Sequence, residues 1–493
     1  MNGNEQKLEK NIQNSVAQDT VQSDTLIKDK RMPFSIALLI LIITAAIMGI
    51  SIIGLGLDAH IPLMMCMVVA AVIGLIKGFK WEDIYEGIKS GINDAVEPTI
   101  ILAIVGLIIG TWMLSGTVPS IIYYGLKLMS PQYFLVVALL VSGLVSTMTG
   151  SAWGTAGTVG IAFMGIGAGL AITPGVTAGA VLCGAYFGDK MSPMSDTTIL
   201  ASSIAGAHIM DHIRSMFYTT IPGTLLAMVF FTIYGLRLSA TNTAAMETIE
   251  QVLQGIESQF NINVLLILPA ILVIVLSIMK KPAIPTLFGS SILAGILAII
   301  FQKTSIKNVL LAMHYGYKSE TGFELLDKLL SKGGLNSMMW SISLILIALT
   351  FGGVLQRLHV VESLLQRFIR YINTDGKLVA MNLVSCFLGD AMMGTQYLGI
   401  IIPGKLFKPV YAERSIKECV QSRILEDAGT LLDCLIPWTI GATYFSGTLG
   451  VSVLEYAPYV ILNWSVPLIS MIYGFTGIAI FKKGKKNSFF PVK

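Results

Sequence analysis

Apolar segments of about 20 residues recur between Pro33 and Phe481, and short polar or glycine-rich stretches separate them. A helix of about 20 apolar residues spans the hydrocarbon core of a bilayer and pairs its own backbone polar groups. The alternation of apolar and polar residues that a membrane β-barrel requires is absent from the sequence. The pattern therefore predicts an all-α polytopic membrane protein whose first apolar segment is retained as a helix.

Residues 98–236 and residues 338–480 contain weakly similar motifs that occur in the same order. GTWMLSGTVP from Gly110 matches GGVLQRLHVV from Gly352, and Gly154-Thr155 matches Gly394-Thr395, at an offset of about 240 residues. Each part contains a stretch rich in Gly, Ser and Thr, 133–165 and 377–405, that interrupts the helical pattern. We expect these stretches to form re-entrant hairpins that line a transport path, with broken transmembrane helices after them.

Basic residues indicate that the two repeats are inverted relative to each other. Residues 165–179 carry no Lys or Arg, whereas the corresponding 405–423 carry five, so the same loop is predicted on opposite sides of the membrane. Lysines before the first helix, after the second helix and in 482–486 place both termini in the cytoplasm. The loop 303–332 fits this topology poorly, because its five lysines fall on the predicted outside.

These boundaries divide the chain into six parts. The predicted parts are a disordered cytoplasmic tail (1–32), two N-terminal transmembrane helices (33–95), a first inverted repeat (96–237), a linker with two transmembrane helices and loops (238–336), a second inverted repeat (337–481) and a basic cytoplasmic tail (482–493).

Composition excludes most other classes of protein. Charged residues make up 13% of the chain, against about 25% in soluble domains. The five cysteines are scattered without metal-binding or redox spacing, and the net charge of +4 lies largely in tails and loops. We therefore expect no cofactor, no nucleic-acid partner and no enzymatic activity.

Two apolar segments each carry a pair of carboxylates seven residues apart. Asp189 and Asp196 lie in GDKMSPMSDTT, Glu426 and Asp433 lie in LEDAGTLLDCLIPW, and we match Asp189 with Glu426 and Asp196 with Asp433. Ionisable groups at membrane depth are costly and usually functional. Carboxylates beside hydroxyls are the hard oxygen ligands that Na+ prefers, so the predicted ion site, centred on the Asp196 region, comprises Asp189, Ser192, Ser195, Asp196, Thr197, Thr198, Asp390, Thr395, Glu426, Asp427, Thr430 and Asp433.

Structural roles compete with this interpretation. Some of the acids are equally suited to pair with Lys190 or Arg423, and Lys190 is also suited to neutralise the empty site. Glu426 and Asp427 point to different faces, so at most one of them is expected to line the site. The hairpin hydroxyls Thr147, Thr149, Ser151 and Thr155 are either ligands or partners of their own backbone. The five histidines, at predicted helix ends, are expected at the surface, and a cytoplasmic pH-sensing role stays open for His208 or His212.

Six ordered motifs resemble the NhaC family of bacterial Na+/H+ antiporters within the ion transporter superfamily. They are GDKMSPMSDTTILAS, IGTWMLSGTVP, STMTGSAWGTAGTVG, LLSKGGLNSMMW, GTQYLGIIIPGKLFKPVY and SRILEDAGTLLDCLIPW. The resemblance covers most of the chain after residue 95, and it implies a multi-pass protein of the bacterial inner membrane. It also implies a secondary active transporter that exchanges Na+ for H+ by alternating access.

The cargo stays open at this stage. Relatives with similar motifs include malate/lactate exchangers and carriers of amino acids, so a Na+- or H+-coupled exchanger of small organic acids or amino acids is the alternative. Intramembrane aspartates also suggest an aspartyl protease, but FLGD at Phe387 lacks the required GxGD pattern. A passive channel fits inverted repeats poorly. The expected partners are the lipid bilayer and the transported ions, and a homo-oligomer is left open.

Overall fold

The computed structural model describes residues 31–241, 244–320, 327 and 330–484. These residues form helices joined by turns, together with an isolated β-bridge between Ile416 and Lys482. Seven of the described helices are long and apolar enough to cross a membrane, or up to nine if two bent pairs each count as one span. The all-α prediction is confirmed. The predicted tails lie outside the described residues, except for 31–32 and 482–484.

The first half of the chain begins with two helices, passes into a long helix and then folds into a hairpin, a broken helix and a second long helix. Its α-helices are α1 (Phe34–Met48), α2 (His60–Ile76), α3 (Trp81–Ser115), α4 (Thr117–Leu128), α5 (Pro131–Thr149), α6 (Ala152–Thr155), α7 (Ile161–Gly169), α8 (Pro174–Met191), α9 (Asp196–Ala205) and α10 (Ile209–Thr241). A π-helical turn, Gly49–Gly54, follows α1, and another, Ala156–Gly160, joins α6 to α7.

The second half repeats the order of hairpin, broken helix and long helix after a helical linker. Its α-helices are α11 (Ala244–Gln259), α12 (Leu268–Ile278), α13 (Ala283–Phe301), α14 (Ile306–Tyr315), α15 (Leu335–Arg357), α16 (Val360–Ile369), α17 (Asp375–Met393), α18 (Gln396–Glu413), α19 (Glu418–Leu425), α20 (Ile440–Leu449), α21 (Val453–Tyr456) and α22 (Ile461–Thr476). A π-helical turn, Glu426–Thr430, and a 3-10 turn, Asp433–Leu435, lie between α19 and α20. Two further 3-10 turns are Val264–Ile267 and Ala457–Tyr459.

The two hairpin tips are built in the same way. In the first hairpin (131–169), Gly150 ends α5 at φ 69° and Ser151 accepts a hydrogen bond from the backbone of the next helix. In the second hairpin (375–413), Gly394 ends α17 at φ 72° and Thr395 does the same. Glycine adopts this left-handed conformation without strain, and Ser and Thr are favoured N-caps. The arms are helical despite their glycines, and both α5 and α17 have 19 residues.

Corresponding boundaries in the two halves are separated by a constant 244 residues. This spacing relates the N-caps Ser195 and Thr439 and the helix-ending glycines Gly206 and Gly450, as well as the two hairpin tips. It also pairs Asp189 with Asp433. The sequence-based match of Asp189 with Glu426 and Asp196 with Asp433 was therefore wrong by seven residues, or about two helical turns. The residues at turns and helix ends, and not the acids, fix the offset between the two halves.

In the packed molecule, the broken helix of each half packs against the hairpin of the other half. Helix α9 of the first broken helix packs against α18 of the second hairpin, and α20 of the second broken helix packs against α6 and α7 of the first hairpin. The ring of Trp153 stacks on Tyr444, with ring centroids 4.7 Å apart. Tyr397, the counterpart of Trp153, donates a hydrogen bond to Asp196. Each hairpin tip is therefore held by the other half.

The two hairpins open toward opposite ends of the molecule. The base of the second hairpin lies beside the C-terminal segment, since Lys482 forms an ion pair with Asp375 at 2.7 Å. The α8 helix, which follows the first hairpin, begins beside Glu455, whose carbonyl oxygen lies against Gly175. Helix α22 connects these two ends, because it starts after Tyr459 and stops shortly before Lys482.

Candidate cation-binding site

A buried cluster of carboxylates and hydroxyls forms where the first broken helix meets the second. Thr197 donates to Glu426 at 3.0 Å and lies 3.3 Å from Asp189, while Ser195 contacts the Thr197 hydroxyl at 3.0 Å. Asp189 is 4% exposed and Glu426 is fully buried. The break in the helix between Met191 and Asp196 is what brings Thr197 back beside Asp189. We call these four residues the Asp189 cluster.

His212 extends this cluster toward the start of α10. Its Nδ1 atom lies 2.8 Å from the Ser422 hydroxyl, and its Nε2 atom lies 3.5 Å from the Glu426 carboxylate. His212 is fully buried. The expectation that all five histidines lie at the surface was therefore wrong for this residue.

Asp427, the neighbour of Glu426, belongs to a separate buried ion pair. Lys190 donates to its Oδ1 atom at 2.8 Å, and Ser470 donates to its Oδ2 atom at 2.8 Å. Thr219 adds a hydrogen bond at 3.2 Å, and Arg423 lies 4.0 Å away. Lys190 thus neutralises Asp427, and this ion pair supports a structural role for both residues.

Asp390 and Asp433 form a second acidic site on the second hairpin and the second broken helix. Both residues are fully buried, and the charge of Asp433 acts on Asp390. Neither carboxylate oxygen of Asp390 has a hydrogen-bond partner in the part of the chain that the structure describes, whereas the Asp433 carboxylate lies beside the Thr439 hydroxyl and the Gly441 backbone N–H without forming a hydrogen bond of good geometry. The hydroxyl of Thr430 is buried and unpartnered there as well, and the Tyr186 hydroxyl lies beside the Cys434 thiol. We call this pair the Asp390–Asp433 site.

Glycines make room for the carboxylates of this site. A β-carbon added at Gly399 would lie 1.7 Å from Asp390 Oδ1, and one added at Gly441 would lie 1.8 Å from Asp433 Oδ2. The same β-carbon at Gly441 would lie 3.6 Å from the Tyr186 hydroxyl. The backbone of α18 and of α20 thus approaches the two acids directly.

Asp196 lies at the edge of the Asp189 cluster, near enough for its charge to act on Asp189. It is exposed at the first turn of α9, where Tyr397 donates a hydrogen bond to its carboxylate. Thr198, two positions further along, is buried and lies 3.4 Å from the backbone carbonyls of Asp189 and Lys190. The residue on which the predicted site was centred therefore contributes less to a buried site than Asp189 does.

Most of the remaining predicted hydroxyls contact their own backbone. Thr147 donates to Gly143 at 2.7 Å and Thr155 donates to Ser151 at 2.9 Å. Thr149 lies 3.4 Å from the Ser146 carbonyl, and Ser192 accepts from the Met194 backbone at 3.3 Å. Ser151 and Thr395 cap the hairpin helices. These contacts support the backbone role of the tip hydroxyls.

No three His, Cys, Asp or Glu side chains among the described residues converge as the ligands of a bound metal would. The two acidic groups instead pair carboxylates with hydroxyls, which suits a hard, weakly held monovalent cation.

Comparison with known proteins agrees with this chemistry. A sequence model of the Na+/H+ antiporter family matches residues 184–478, which contain the break in the first broken helix, the second hairpin and the second broken helix. The Na+/H+ antiporter NhaC of Alkalihalophilus pseudofirmus is 40% identical over 93% of this chain and 98% of its own length. The chain belongs to the Na+/H+ antiporter family. The Na+/H+ antiporter NhaC of Bacillus subtilis is 38% identical over 90% of the chain and 98% of its own length.

Other relatives of this antiporter-family chain have names that include organic cargo. The malate-2H+/Na+-lactate antiporter of Bacillus subtilis is 34% identical over 91% of the chain and 96% of its own length. A model of the C4-dicarboxylate anaerobic carrier family also matches residues 3–196.

The site predicted from the sequence included neither His212 nor Tyr186. His212, Ser215 and Thr219 recur at helical spacing on one face of α10, and all three are fully buried. Tyr186, Asp189 and Lys190 recur in the same way on α8. A polar stripe at 3.6-residue spacing in an otherwise apolar helix was the signal that could have found them.

Proposed function

We propose that this protein is a Na+/H+ antiporter of the bacterial cytoplasmic membrane, and that the Asp390–Asp433 site binds the exchanged cation. The observation that carries the proposal is the pair of fully buried aspartates, in which Asp390 has no hydrogen-bond partner among the described residues and no basic side chain pairs with either acid there. Two ionised carboxylates in such a place repel each other and lack solvation. A bound Na+ ion or a proton removes most of that cost.

Competition between Na+ and H+ for one site is sufficient for exchange. If the site is stable only when it holds one of the two cations, the conformational change carries Na+ in one direction and a proton in the other. The hairpin tips and helix breaks, which lie at the interface of the two halves, supply the parts that move. The Tyr397–Asp196 contact and the Trp153–Tyr444 stack are the contacts at the two tips.

The Asp189 cluster provides a second group on the same route. Glu426 accepts from Thr197 at 3.0 Å and lies 3.5 Å from His212. We assign proton transfer to this chain of His212, Glu426 and Asp189, because the Thr197 hydroxyl lies between the two carboxylates and the His212 ring contacts Glu426. Lys190 and Asp427 have a structural role in this proposal.

Basic residues support an orientation with both termini in the cytoplasm. Arg367 lies over the ring of Phe34 near the start of α1, and Arg414, Lys482 and Asp375 meet near the end of the described chain. Positive charge concentrates on the cytoplasmic side of membrane proteins. In this orientation the protein is embedded in the lipid bilayer. We propose that it carries ions across the bilayer and does not catalyse a chemical reaction.

Proteoliposomes with an internal pH-sensitive dye test the proposed function. After an acid-inside pH gradient is imposed, adding Na+ outside should dissipate the gradient in a saturable manner, whereas K+ should not. Asp390→Asn and Asp433→Asn should each abolish the Na+ response, while Asp375→Asn at the membrane edge should keep it. A Na+ response of normal size in both site variants would refute the site, and a wild type that never responds to Na+ would refute the function.

A further inference from the structure

The segment that follows α22 folds back over the base of the second hairpin. The backbone N–H of Lys417 donates to the Phe481 carbonyl at 2.8 Å, and the backbone N–H of Lys483 donates to the Ser415 carbonyl at 2.8 Å. We call residues 477–483 the C-terminal strap. Two backbone hydrogen bonds thus join the strap to the loop between α18 and α19, as they would join two antiparallel strands.

Side chains fix the strap to two further elements. The Lys482 ammonium lies 2.7 Å from the carboxylate of Asp375, the first residue of α17. Phe481 is only 6% exposed, and the centroid of its ring lies 5.2 Å from that of Tyr218 on α10. The strap therefore connects the start and the end of the second hairpin to α10, which lies outside that hairpin.

Arg423 connects the strap to the buried ion pair of Lys190 and Asp427. Its guanidinium is fully buried, donates to the Ala479 carbonyl at 3.1 Å and lies 4.0 Å from the Asp427 carboxylate. Asp427 accepts a hydrogen bond from Lys190 at 2.8 Å, and Lys190 is the chain neighbour of Asp189. Polar contacts thus run from the strap to the edge of the Asp189 cluster.

The docked backbone is strained on both sides of the contact. Ala479 in the strap has φ 54°, and Ser415 in the facing loop has φ 53°. This left-handed conformation is costly for residues other than glycine and persists only where the surrounding contacts enforce it. Undocking would release the strain and so offset part of the lost hydrogen bonds. The strap is therefore suited to reversible docking.

We propose that the C-terminal strap is a latch that holds the second hairpin in the conformation described here and must undock for exchange to proceed. Asp390 lies on this hairpin, and alternating access moves one such bundle against the rest of the protein. A strap that ties both ends of the hairpin to α10 opposes that motion. The latch rests on the proposed exchange, because it adds a conformational control to the same site.

A reversible disulfide between the strap and the facing loop tests the latch. Ile416 and Lys482 face each other in the isolated β-bridge, between the two backbone hydrogen bonds. The Cα atoms of such a pair lie about 4.5 Å apart, a distance that a disulfide can span. The double variant Ile416→Cys/Lys482→Cys should therefore cross-link on oxidation, and the five native cysteines, all buried, should not compete.

Cross-linked protein should bind Na+ but not exchange it. In proteoliposomes, Na+-driven dissipation of the pH gradient should slow at least about tenfold after oxidation and recover with dithiothreitol. Calorimetric Na+ binding in detergent should be unchanged, because the cross-link lies at the base of the hairpin and Asp390 lies near its tip. The single variants Ile416→Cys and Lys482→Cys, oxidised in the same way, are the matched controls and should exchange at full rate.

A weakened latch should not slow exchange. Lys482→Gln removes the ion pair with Asp375, so the initial rate of the Na+ response should equal or exceed that of wild type. A loss of rate in Lys482→Gln as large as that caused by the cross-link would overturn the proposal, because docking itself would then be required.

Two further results would also overturn the latch. One is full exchange by the cross-linked protein, and the other is a double variant that forms no disulfide, which would contradict the docked geometry. Failure of the proposed function looks different, since a wild type that never responds to Na+ refutes exchange itself. Equal rates before and after cross-linking in a protein that does respond refute only the latch.

Discussion

Asp390 and Asp427 are both fully buried aspartates of the second half, but their surroundings differ. Asp427 accepts hydrogen bonds from Lys190, Thr219 and Ser470, whereas both oxygens of Asp390 are unpartnered among the described side chains. The same chemical change should therefore have opposite consequences at the two positions.

Asp427→Asn should destabilise the protein by about 3–5 kcal/mol, because it leaves the buried Lys190 and Arg423 without their counter-charge. Asp390→Asn should leave stability unchanged or raise it, because it removes an unpaired buried charge. Thermal unfolding of the two purified variants in the same detergent measures the difference. Equal losses of stability would show that Asp390 also has a compensating partner.

Lys190→Met should cost less stability than Asp427→Asn. Arg423, 4.0 Å from Asp427, remains as a counter-charge after the lysine is lost. Lys190→Met therefore leaves one positive and one negative buried charge, whereas Asp427→Asn leaves two positive charges without a negative partner. The ratio of folded protein recovered after size-exclusion chromatography reports this order, and the reverse order would contradict the assignment of Arg423 to the ion pair.

His212→Gln should slow Na+-driven proton movement at least about tenfold, a typical loss for a group that transfers protons. The reason is that glutamine retains a hydrogen bond to Ser422 but cannot carry a proton to Glu426. Initial rates of pH-gradient dissipation measure the effect, and His208→Gln at the start of α10 is the matched control. Equal rates in the two variants would assign His212 a packing role.

Single residues were only partly predictable from the sequence. Asp189, Glu426, Asp390 and Asp433 were selected because acids are rare in apolar segments, and all four lie in buried acidic groups. Which acid pairs with which partner depends on contacts between residues 210 to 237 positions apart, and no local pattern encodes these. His212 was misplaced for the same reason, since its partners Ser422 and Glu426 belong to the other half.

At the level of helices and turns, close approach of backbone to carboxylate is the feature that defines the site. Gly399→Ala should abolish Na+ response while the protein still folds, because the added methyl group would occupy the position of the Asp390 carboxylate. Gly289→Ala is the matched control, since a β-carbon there meets nothing within 4 Å. Alanine should stabilise helix α13 by up to about 1 kcal/mol. Proteoliposome flux and thermal unfolding of both variants check the prediction, and full flux in Gly399→Ala would contradict the geometry of the site.

The positions of the helices were more predictable from the sequence than the residue offset that relates the two halves. The apolar segments and the two Gly- and Ser/Thr-rich interruptions correspond to helices and hairpins in the structure. The register between the halves was misjudged because Gly154-Thr155 resembles the tip sequence Gly394-Thr395, although the true counterpart of Gly394 is Gly150. The left-handed backbone at Gly150 and Gly394 identifies the true counterparts, and the other helix boundaries at the 244-residue offset agree.

On the scale of the whole molecule, the buried cysteines make its orientation in the membrane measurable. All five native cysteines are buried and free, so a thiol reagent that does not cross membranes should have little background. In intact bacterial cells, Lys307→Cys should react, because residues 303–332 lie on the predicted outside, whereas Lys77→Cys should react only after the membrane is permeabilised. The opposite pattern would invert the proposed orientation.

The packing of each broken helix on the hairpin of the other half shows why one half is not sufficient by itself. Because α9 packs on the second hairpin and α20 packs on the first, a single copy of such a half would leave its broken helix uncovered, and a second, antiparallel copy would be needed to bury it. A pair of identical copies would carry two equal sites. In the present chain the position equivalent to Asp390 is Ser146, which donates to Ala185 at 2.6 Å, so the acid pair of the second half has no equivalent in the first.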